Sequence, residues 1–436
     1  MAELLLAGST SDSLLDSLTY SLAPTSEYIT SRRQSRFHPS GASSYSSNTT
    51  QVARIDLKGQ GGFLDLSTIK ICFRLVNGSS TLPLILNGGP HALVSRIRVF
   101  CQSSLLEDVS HYSRCHHLFT ELLAPSNWRV GSAVESNCKQ LVSGSTKDPA
   151  IVEVIDPSEY ATLIFSPSAL GCTSCGKMWP IEMAPLSFEI TFAAPQDAVI
   201  SDAGMHPRGS ASSVDYVINN LHLQCSQVLV DSALNNSFKS ALASGRSLSI
   251  ALQTCFTSAH ILGANSTSAQ IAMTRALSKL GLVFMSFSDS SSASLSNEVT
   301  GFANPSAIAA GGDDSVYSHK ERTLTTQIQL DSFLHPETPM DSMGEHWCKL
   351  TEAAATYDQK LVTLSITPEM YKSDAFIAAI NLMRAPGSSF SGLNTRTGSL
   401  LLLKLNNLKT SVTKVYSHLV GTVLVEIRAD TCSVYD

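Results

Sequence analysis

The sequence has 436 residues, which suits two large β domains as well as three domains of ordinary size. Apolar residues make up 43% of the chain and charged residues only 15%, whereas a typical soluble domain has roughly 25% charged residues. Either neighbouring molecules cover much of the surface, or the surface is simply rich in Ser and Thr. The net charge of −6 argues against a broad basic face for binding nucleic acid.

Residues 1–50 are predicted to form a flexible N-terminal arm. Its first part is rich in leucine, and its second part is rich in Ser and Thr with few periodic apolar positions. The arm carries the one basic cluster of the chain, Arg32, Arg33 and Arg36. Three arginines allow at most a weak contact with nucleic acid, and a solvated arm is the simpler interpretation.

No secretory signal is expected, because the apolar run at residues 4–6 is short and no basic region precedes it. The ten cysteines are therefore expected to stay reduced. No apolar run approaches the roughly 18 residues of a membrane-spanning helix, so no transmembrane segment is expected either.

Alternation of apolar and polar side chains predicts β-strands in both halves of the chain, beginning near Gln51. Successive side chains of a strand point to opposite faces, so each such segment has one buried and one solvent-facing side. This pattern is typical of antiparallel sheets in a sandwich, since parallel sheets are buried on both faces. The clearest alternating segments are residues 69–75, 186–192, 248–252 and 423–427.

Three helices are predicted between the strands. Asp231 is a plausible N-cap for the second helix, and Gly245 follows its end. The third helix opens with the capping-box pattern Ser342-x-x-Glu345. The predicted helices cover residues 105–123, 232–244 and 342–356.

The turn-rich stretch 202–213 predicts a boundary between two domains. The first domain is expected to span residues 51–210 and the second residues 211–436. Each half has early strands, at least one helix and an irregular insertion, a layout that indicates a duplicated β domain. No repeat is visible at the level of individual residues.

Residues 288–318 predict a long loop in the second domain. Its Ser, Gly and Asp content cannot form a core of its own, so we expect it on the outer surface, tolerant of an insertion at Ser292. Residues 299–303 within it are apolar and are expected to dock onto the sandwich or onto a neighbouring subunit.

Motifs that carry chemistry are absent from the sequence, so we predict no catalytic, cofactor-binding or metal-binding residue and no enzyme activity. Cys172-x-x-Cys175 offers two thiols, but zinc needs four ligands and no second pair of this kind follows. A helix would point the neighbouring ligand-type residues in several directions. These neighbours are His111, Cys115, His116 and His117. Asp313 and Asp314 are interpreted as part of a solvated Gly-rich loop.

The second half of the chain resembles a known family. Residues 371–384 read YKSDAFIAAINLMR, residues 385–398 read APGSSFSGLNTRTG, and residues 399–406 read SLLLLKLN. This order, a strand ending in a basic residue, a Gly/Thr-rich loop and another strand, resembles the closing region of double jelly-roll major capsid proteins. The resemblance is to those of Polinton-like viruses, adintoviruses and related small eukaryotic DNA viruses. Weaker matches at residues 63–67, 104–108, 219–231 and 335–339 extend it over most of residues 50–430.

The resemblance implies an all-β fold with a few short helices, in which two consecutive eight-stranded antiparallel jelly rolls form a double jelly roll. It implies a homotrimer with a pseudo-hexagonal outline that tiles an icosahedral shell around a DNA genome. The implied partners are further capsomers, penton proteins and minor capsid proteins. The implied location is the virion, assembled inside the host cell.

Two alternatives from other classes remain open at this point. One is a capsid protein of a small RNA virus with a shell domain and a protruding domain, although its arm is usually strongly basic. The other is a non-viral β-sandwich binding protein, which would normally carry an export signal and paired cysteines.

Overall fold

The computed structural model shows two consecutive β-sandwiches, each made of two antiparallel sheets with a few short helices between strands. The all-β class and the double jelly roll expected from the resemblance are thereby confirmed. The described residues are 29–46, 49–59, 62–123, 135, 138–139, 151–152, 154–200, 212–291, 297–307, 323–358, 361, 364–385, 391–396, 400–429 and 431–435.

The first sandwich places strands β1, β11, β4 and β9 in one sheet, in that order, and β3, β10, β5 and β6 in the other. A two-residue strand, β2, extends the first sheet, and β7 and β8 form a separate hairpin. The strands are β1 Ile29–Phe37, β2 Ser44–Tyr45, β3 Val52–Leu57, β4 Phe63–Asn77, β5 Val94–Cys101, β6 Ser104–Ser110, β7 Cys138–Lys139, β8 Ile151–Val152, β9 Tyr160–Phe165, β10 Leu186–Phe192 and β11 Tyr216–Val230.

The second sandwich places β12, β19, β14 and β17 in one sheet and β13, β18, β15 and β16 in the other, while β20 pairs with β19. The strands are β12 Leu248–Ile261, β13 Ser268–Met273, β14 Leu280–Asp289, β15 Thr325–Leu330, β16 Phe333–Met340, β17 Ile377–Asn381, β18 Leu401–Asn406, β19 Val412–Ile427 and β20 Cys432–Tyr435.

The two sandwiches share one topology. If the eight principal strands of each are numbered along the chain, both have the sheet orders 1-8-3-6 and 2-7-4-5. Two four-stranded sheets connected in this way form a jelly roll. The duplication that the layout indicated is therefore real at the level of strand order, even though the residues do not repeat.

Two of the helices occupy equivalent places, since α1 and α5 both follow the fifth principal strand of their sandwich. Helix α4 connects the sandwiches. The helices are α1 Tyr112–Leu123, α2 Gly171–Ser174, α3 Pro195–Ala198, α4 Ser232–Ala243, α5 Met343–Tyr357 and α6 Pro368–Ser373, with a 3₁₀ turn at Pro90–Leu93. None of the helices in the described ranges is both long and apolar enough to cross a membrane.

Local sequence patterns account for several of these elements. The alternating segment 186–192 is strand β10, with every second side chain buried. Asp231 caps α4 by accepting a hydrogen bond from the amide of Ala233. Gly245 follows with a φ of 86°, the left-handed conformation that glycine favours after a helix. The second helix prediction is therefore confirmed in position and in both ends.

The predicted domain limits differ from those of the structure. The boundary expected at residues 210 and 211 falls before β11, whose hydrogen-bonding partners are β1 and β4 of the first sandwich. The second sandwich begins only at β12, after the connecting helix α4. The turn-rich stretch 202–213 therefore precedes the last strand of the first jelly roll in the sequence, and residues 201–211 lie outside the described residues.

The predicted arm also differs, because residues 29–37 form an edge strand along β11. The outward side chains of this strand are mostly Ser, Thr and Arg, so no apolar alternation marks it in the sequence. Arg32 pairs with Asp65 at 2.5 Å, and Arg33 donates to the side chain of Gln227. Residues 1–28 of the predicted arm lie outside the described residues.

The helix predicted for residues 105–123 is a strand followed by a helix. Residues 104–110 pair with β5 as strand β6, and α1 begins only at Tyr112. His111 lies between them with a φ of 47°, which separates the two conformations. The apolar spacing in this stretch suits both structures, so the partner strand decides between them.

The third helix prediction supplies a stability test. Ser342 accepts a hydrogen bond from the amide of Glu345, and the Glu345 carboxylate accepts one from the amide of Asp341. Replacing Ser342 with Ala leaves the Glu345 amide without its acceptor, so we expect the free energy of unfolding to fall by about 1 kcal/mol. Urea denaturation followed by circular dichroism measures it. Ser342→Asp, which keeps an acceptor, is the control, and equal losses in both variants would contradict the role of the cap.

Candidate functional site at the seam between the two sandwiches

The surface along which the two sandwiches contact each other, here called the seam, joins two edge strands. Strand β6 ends one sheet of the first sandwich, and β12 ends one sheet of the second. Exposed sheet edges invite pairing with other chains, and the seam covers both. The buried apolar side chains of the two sandwiches form one continuous cluster across it. The chain is thus built as one body with two jelly rolls.

Arg114, on the first turn of α1, crosses the seam with a fully buried side chain. Its guanidinium donates to Ser286 Oγ at 2.9 Å and to carbonyl oxygens of the second sandwich. These carbonyls are those of Gly301 at 2.8 Å, Phe287 at 3.0 Å, and Asn297 and Glu298 at 3.3 Å. One side chain of the first jelly roll therefore organises the 297–301 segment of the second.

The Arg114 charge is held mainly by neutral groups. Its acceptors are a hydroxyl and four carbonyls, and the rings of Tyr416 and Phe302 lie 4.2 and 4.7 Å from its Cζ atom. Burial lowers the pKa of Arg114 to about 9, against the opposing effect of the Glu298 carboxylate. The guanidinium thus remains charged at neutral pH, and its fork of donors fixes the geometry of the seam.

Connections of both sandwiches meet at one end of the seam. The side chains of Asn87 and Asn297 hydrogen-bond each other, and both belong to the connection between the third and fourth principal strands of their sandwich. Thr300 also donates to Asn87 at 3.2 Å. Of the predicted loop 288–318, Val299, Phe302 and Ala303 are buried, so the docking expected for residues 299–303 is confirmed. Residues 292–296 and 308–322, including Ser292, Asp313 and Asp314, lie outside the described residues.

The predicted Cys172-x-x-Cys175 pair lies at another part of the seam. Helix α2 brings Gly171 so close to β12 that an added Cβ atom would lie 2.8 to 2.9 Å from backbone atoms of Gln253. The amides of Gly171 and Cys172 donate to the buried Glu107 carboxylate at 2.6 and 2.7 Å. Burial raises the pKa of both thiols. This stretch therefore secures the contact between the sandwiches.

The structure separates the ligand-type residues that cluster in sequence around α1. His116 contacts the carbonyl oxygen of Ser166 at 3.1 Å, and His117 lies 3.6 Å from the Glu121 carboxylate. His111 packs its ring against Tyr416. Of these four residues, only Cys115 joins a group of ligand-type side chains among the described residues.

Cys115 meets two residues that sequence reasoning did not select. Its Sγ atom lies 3.4 Å from Sγ of Cys255 on β12, and His418 on β19 completes the group. The three potential ligand atoms lie within 4.8 Å of one another, and all three residues are buried. This is the one group of three metal-ligand side chains found among the described residues. No local motif marks it, because its members come from three distant elements.

Hydrogen bonds around this group make it part of the same polar network as Arg114. Thr257 Oγ1 lies 3.0 Å from His418 Nδ1, and Ser286 Oγ lies 3.4 Å from His418 Nε2. Burial opposes ionisation of the Cys115 thiol, but hydrogen bonds from Cys255 and His418 outweigh burial and hold its pKa at about 5. The pKa of Cys255 is raised well above its usual range, mainly because of its hydrogen bond with Cys115. One thiolate is thus favoured at the seam.

The fold is similar to that of solved viral proteins. A chain of the PBCV-1 virus capsid matches with a TM-score of 0.62 and 9% identity, covering 95% of this chain and 99% of that one. A chain of the Sputnik virophage matches with a TM-score of 0.60 and 8% identity, covering 98% and 92%. The Faustovirus major capsid protein matches with a TM-score of 0.58 and 9% identity, covering 97% and 94%.

No family model and no curated protein matches the sequence. At identities below 10% the structural matches establish the fold, and they extend over both sandwiches and the seam between them. They agree with the strand order of two jelly rolls read from the chain itself.

Proposed function

We propose that this chain is a viral major capsid protein that acts as a structural building block. The observation that carries the proposal is the duplicated jelly roll, locked across a buried seam and matched over nearly the full length of capsid chains. Jelly rolls occur in viral shells and in lectin-type binding proteins. The full-length match to capsid chains, with both sandwiches in one arrangement, favours the shell.

The proposed assembly unit is a homotrimer with a pseudo-hexagonal outline. Three chains bring six jelly rolls of the same strand order around one axis, and six similar wedges fill a hexagon. Such an outline requires the two jelly rolls of one chain to keep a fixed angle, which the buried Arg114 and the continuous core support. We propose that these trimers tile an icosahedral shell around a DNA genome, with penton and minor capsid proteins as further partners.

The proposed orientation follows from chain direction. Consecutive strands run in opposite directions, so the connections after the first, third, fifth and seventh principal strands leave from one end of each sandwich. The Asn87–Asn297 contact indicates that these ends lie on the same side of the molecule in both sandwiches. We propose that this end, with the long connections at residues 290–324 and 341–376, faces outward. The predicted exposure of the 288–318 loop remains part of this proposal.

Composition and exposure support extensive contacts with other copies. Charged residues are only 15% of the chain, and several large apolar side chains lie exposed at strand ends. Ile261 is 81% exposed and Phe333 is 68% exposed. Contact with the genome is proposed to be weak at most, since Arg32 and Arg33 already bind Asp65 and Gln227.

The alternative of an RNA-virus capsid protein with a shell and a protruding domain is less favoured. It does not call for two domains of the same strand order joined rigidly side by side. A non-viral binding protein and an enzyme are also less favoured, because the full-length likeness is to capsid proteins.

Mass in solution tests the proposal. We expect the purified chain to have about three times the 46.6 kDa mass of one copy in multi-angle light scattering, because the proposed shell is built from trimers. Negative-stain images should then show discs of hexagonal outline. A mass of one copy over a wide concentration range, with no discs, would count against a trimeric capsomer.

A further inference from the structure

We propose that Cys115, Cys255 and His418 bind one Zn²⁺ ion and so form a metal cross-link between the two jelly rolls. Cys115 belongs to the first sandwich, while Cys255 and His418 belong to the second. The sequence alone predicts no metal site here, since the three residues are far apart in the chain. The inference is independent of the capsid role, because it concerns how the chain holds its own halves together.

The distances between the three side chains are close to those of a zinc site. Zinc–sulfur distances of about 2.3 Å in a tetrahedral site place two sulfurs roughly 3.8 Å apart. Cys115 Sγ and Cys255 Sγ lie 3.4 Å apart, so an adjustment of a few tenths of an ångström admits the ion. An imidazole nitrogen of His418 lies within 4.8 Å of both sulfurs, so a modest movement of the side chains brings all three atoms to one ion.

Charge balance favours a divalent ion at this position. Two thiolates neutralise Zn²⁺, so the loaded site adds no net charge to a fully buried region. Two thiolates without an ion would be costly in such a buried group. Two sulfur ligands and one imidazole nitrogen bind zinc in preference to magnesium or calcium.

The surroundings supply the outer contacts that zinc sites use. Metal-bound histidines usually hydrogen-bond a partner through their second ring nitrogen. Thr257 Oγ1 lies 3.0 Å from Nδ1 of His418, and Ser286 Oγ lies 3.4 Å from its Nε2. Whichever ring nitrogen binds the ion, the other nitrogen therefore keeps a hydroxyl partner. Zinc takes a fourth ligand, and a water molecule fills that place in sites with three protein ligands.

A disulfide between Cys115 and Cys255 is the competing interpretation. Its formation needs an oxidant such as oxidised glutathione, which takes up the two electrons and two protons released by the thiols. It leaves His418 without a role in the group, although an imidazole nitrogen lies within 4.8 Å of both sulfurs. The proximity of all three side chains, Cys115, Cys255 and His418, therefore favours a bound metal ion over a disulfide.

Metal analysis of the full chain tests the proposal. The protein is expressed with added zinc, purified under reducing conditions, and its metal content is measured by mass spectrometry. We expect about one zinc ion per chain. Cobalt supplied in place of zinc should give a thiolate-to-cobalt charge-transfer band, which reports sulfur ligation directly. Removal of zinc with a chelator should lower the thermal unfolding midpoint.

Matched variants identify the ligands. Cys255→Ser and His418→Gln should each lower the zinc content at least tenfold or abolish the cobalt band. Cys348→Ser, which changes an exposed cysteine, should keep both, as should Cys172→Ser, which changes a buried cysteine outside the group.

If the ligand variants fail to fold, the wild-type chain still decides the question through its zinc content, its cobalt spectrum and its thiol count. A folded wild-type chain with less than about a tenth of an equivalent of zinc and no cobalt band would overturn the proposal. So would a metal-free chain in which Cys115 and Cys255 are joined in a disulfide.

Discussion

Replacing Arg114 with methionine is expected to lower the free energy of unfolding by about 3 to 5 kcal/mol, or to prevent folding altogether. The substitution removes every donor that Arg114 gives to the second sandwich. Ser286 Oγ and the carbonyl oxygens of Phe287 and Gly301 then remain buried without these partners. The Phe287 carbonyl keeps the amide of Ala303, and Ser286 keeps His418. A buried acceptor that is left unsatisfied costs about 1 to 3 kcal/mol, so the loss falls mainly on the remaining carbonyls.

Lysine at position 114 should recover little of this loss. It keeps the positive charge but has a single ammonium group, which cannot reach five acceptors arranged around a planar fork. The comparison between Arg114→Met and Arg114→Lys therefore separates the effect of charge from the effect of hydrogen-bond geometry.

Urea denaturation measures the loss, and Arg96→Met is the matched control. Arg96 is likewise an arginine whose guanidinium makes hydrogen bonds, two of them to Asp108, but its side chain is 41% exposed. Exposed pairs of this kind contribute about 1 kcal/mol or less. Similar small losses in the variants at positions 96 and 114 would show that the seam does not depend on the buried guanidinium.

Stability should fall steeply in mild acid because His116 is buried in its neutral form. Burial lowers the pKa of this imidazole from 6.5 to about 4, against the opposing effects of the Ser166 carbonyl and the Glu135 carboxylate. The unfolded chain takes up a proton below pH 6.5, whereas the folded chain takes it up only near pH 4. The contribution of His116 is therefore complete above pH 6.5 and is lost as the pH falls to about 4, a change of about 3 kcal/mol.

Burial also lowers the pKa of His111 and His346, so these residues add to the acid sensitivity. Comparison with a variant at position 116 isolates the contribution of His116. His116→Gln keeps a donor for the Ser166 carbonyl oxygen but does not titrate. Between pH 7 and pH 4 the wild type should lose about 2 to 3 kcal/mol more unfolding free energy than the variant. His38→Gln, which removes an exposed histidine, serves as the reference. Parallel curves for the wild type and His116→Gln would rule out the buried neutral imidazole as a cause of acid sensitivity.

Both expected effects concern the same structural requirement. Arg114 and His116 lie two positions apart on α1, and they face opposite partners. Arg114 holds the second sandwich, whereas His116 contacts Ser166 of the first. Helix α1 therefore ties the seam to the core of the first jelly roll, and the proposed trimer depends on that connection remaining rigid.

The sequence by itself determined the features that depend on near neighbours in the chain. Strand β10 and the helix ends at Asp231, Gly245 and Ser342 were predictable, because burial alternation and capping involve residues only two to four positions apart. The double jelly roll was also predictable, through a resemblance that lies in the order of several weak patterns.

Only the tertiary structure decided which segments belong together. Strand β1 carries no apolar alternation and is a strand because β11 pairs with it across nearly two hundred residues. Strand β6 has a spacing that also suits a helix, and pairing with β5 settles its conformation. Cys115 lies 140 residues from Cys255, and no pattern in the chain relates them. Strands β1 and β6 thus need a partner strand within the first sandwich. The contact between Cys115 and Cys255 forms only when the two sandwiches close on each other.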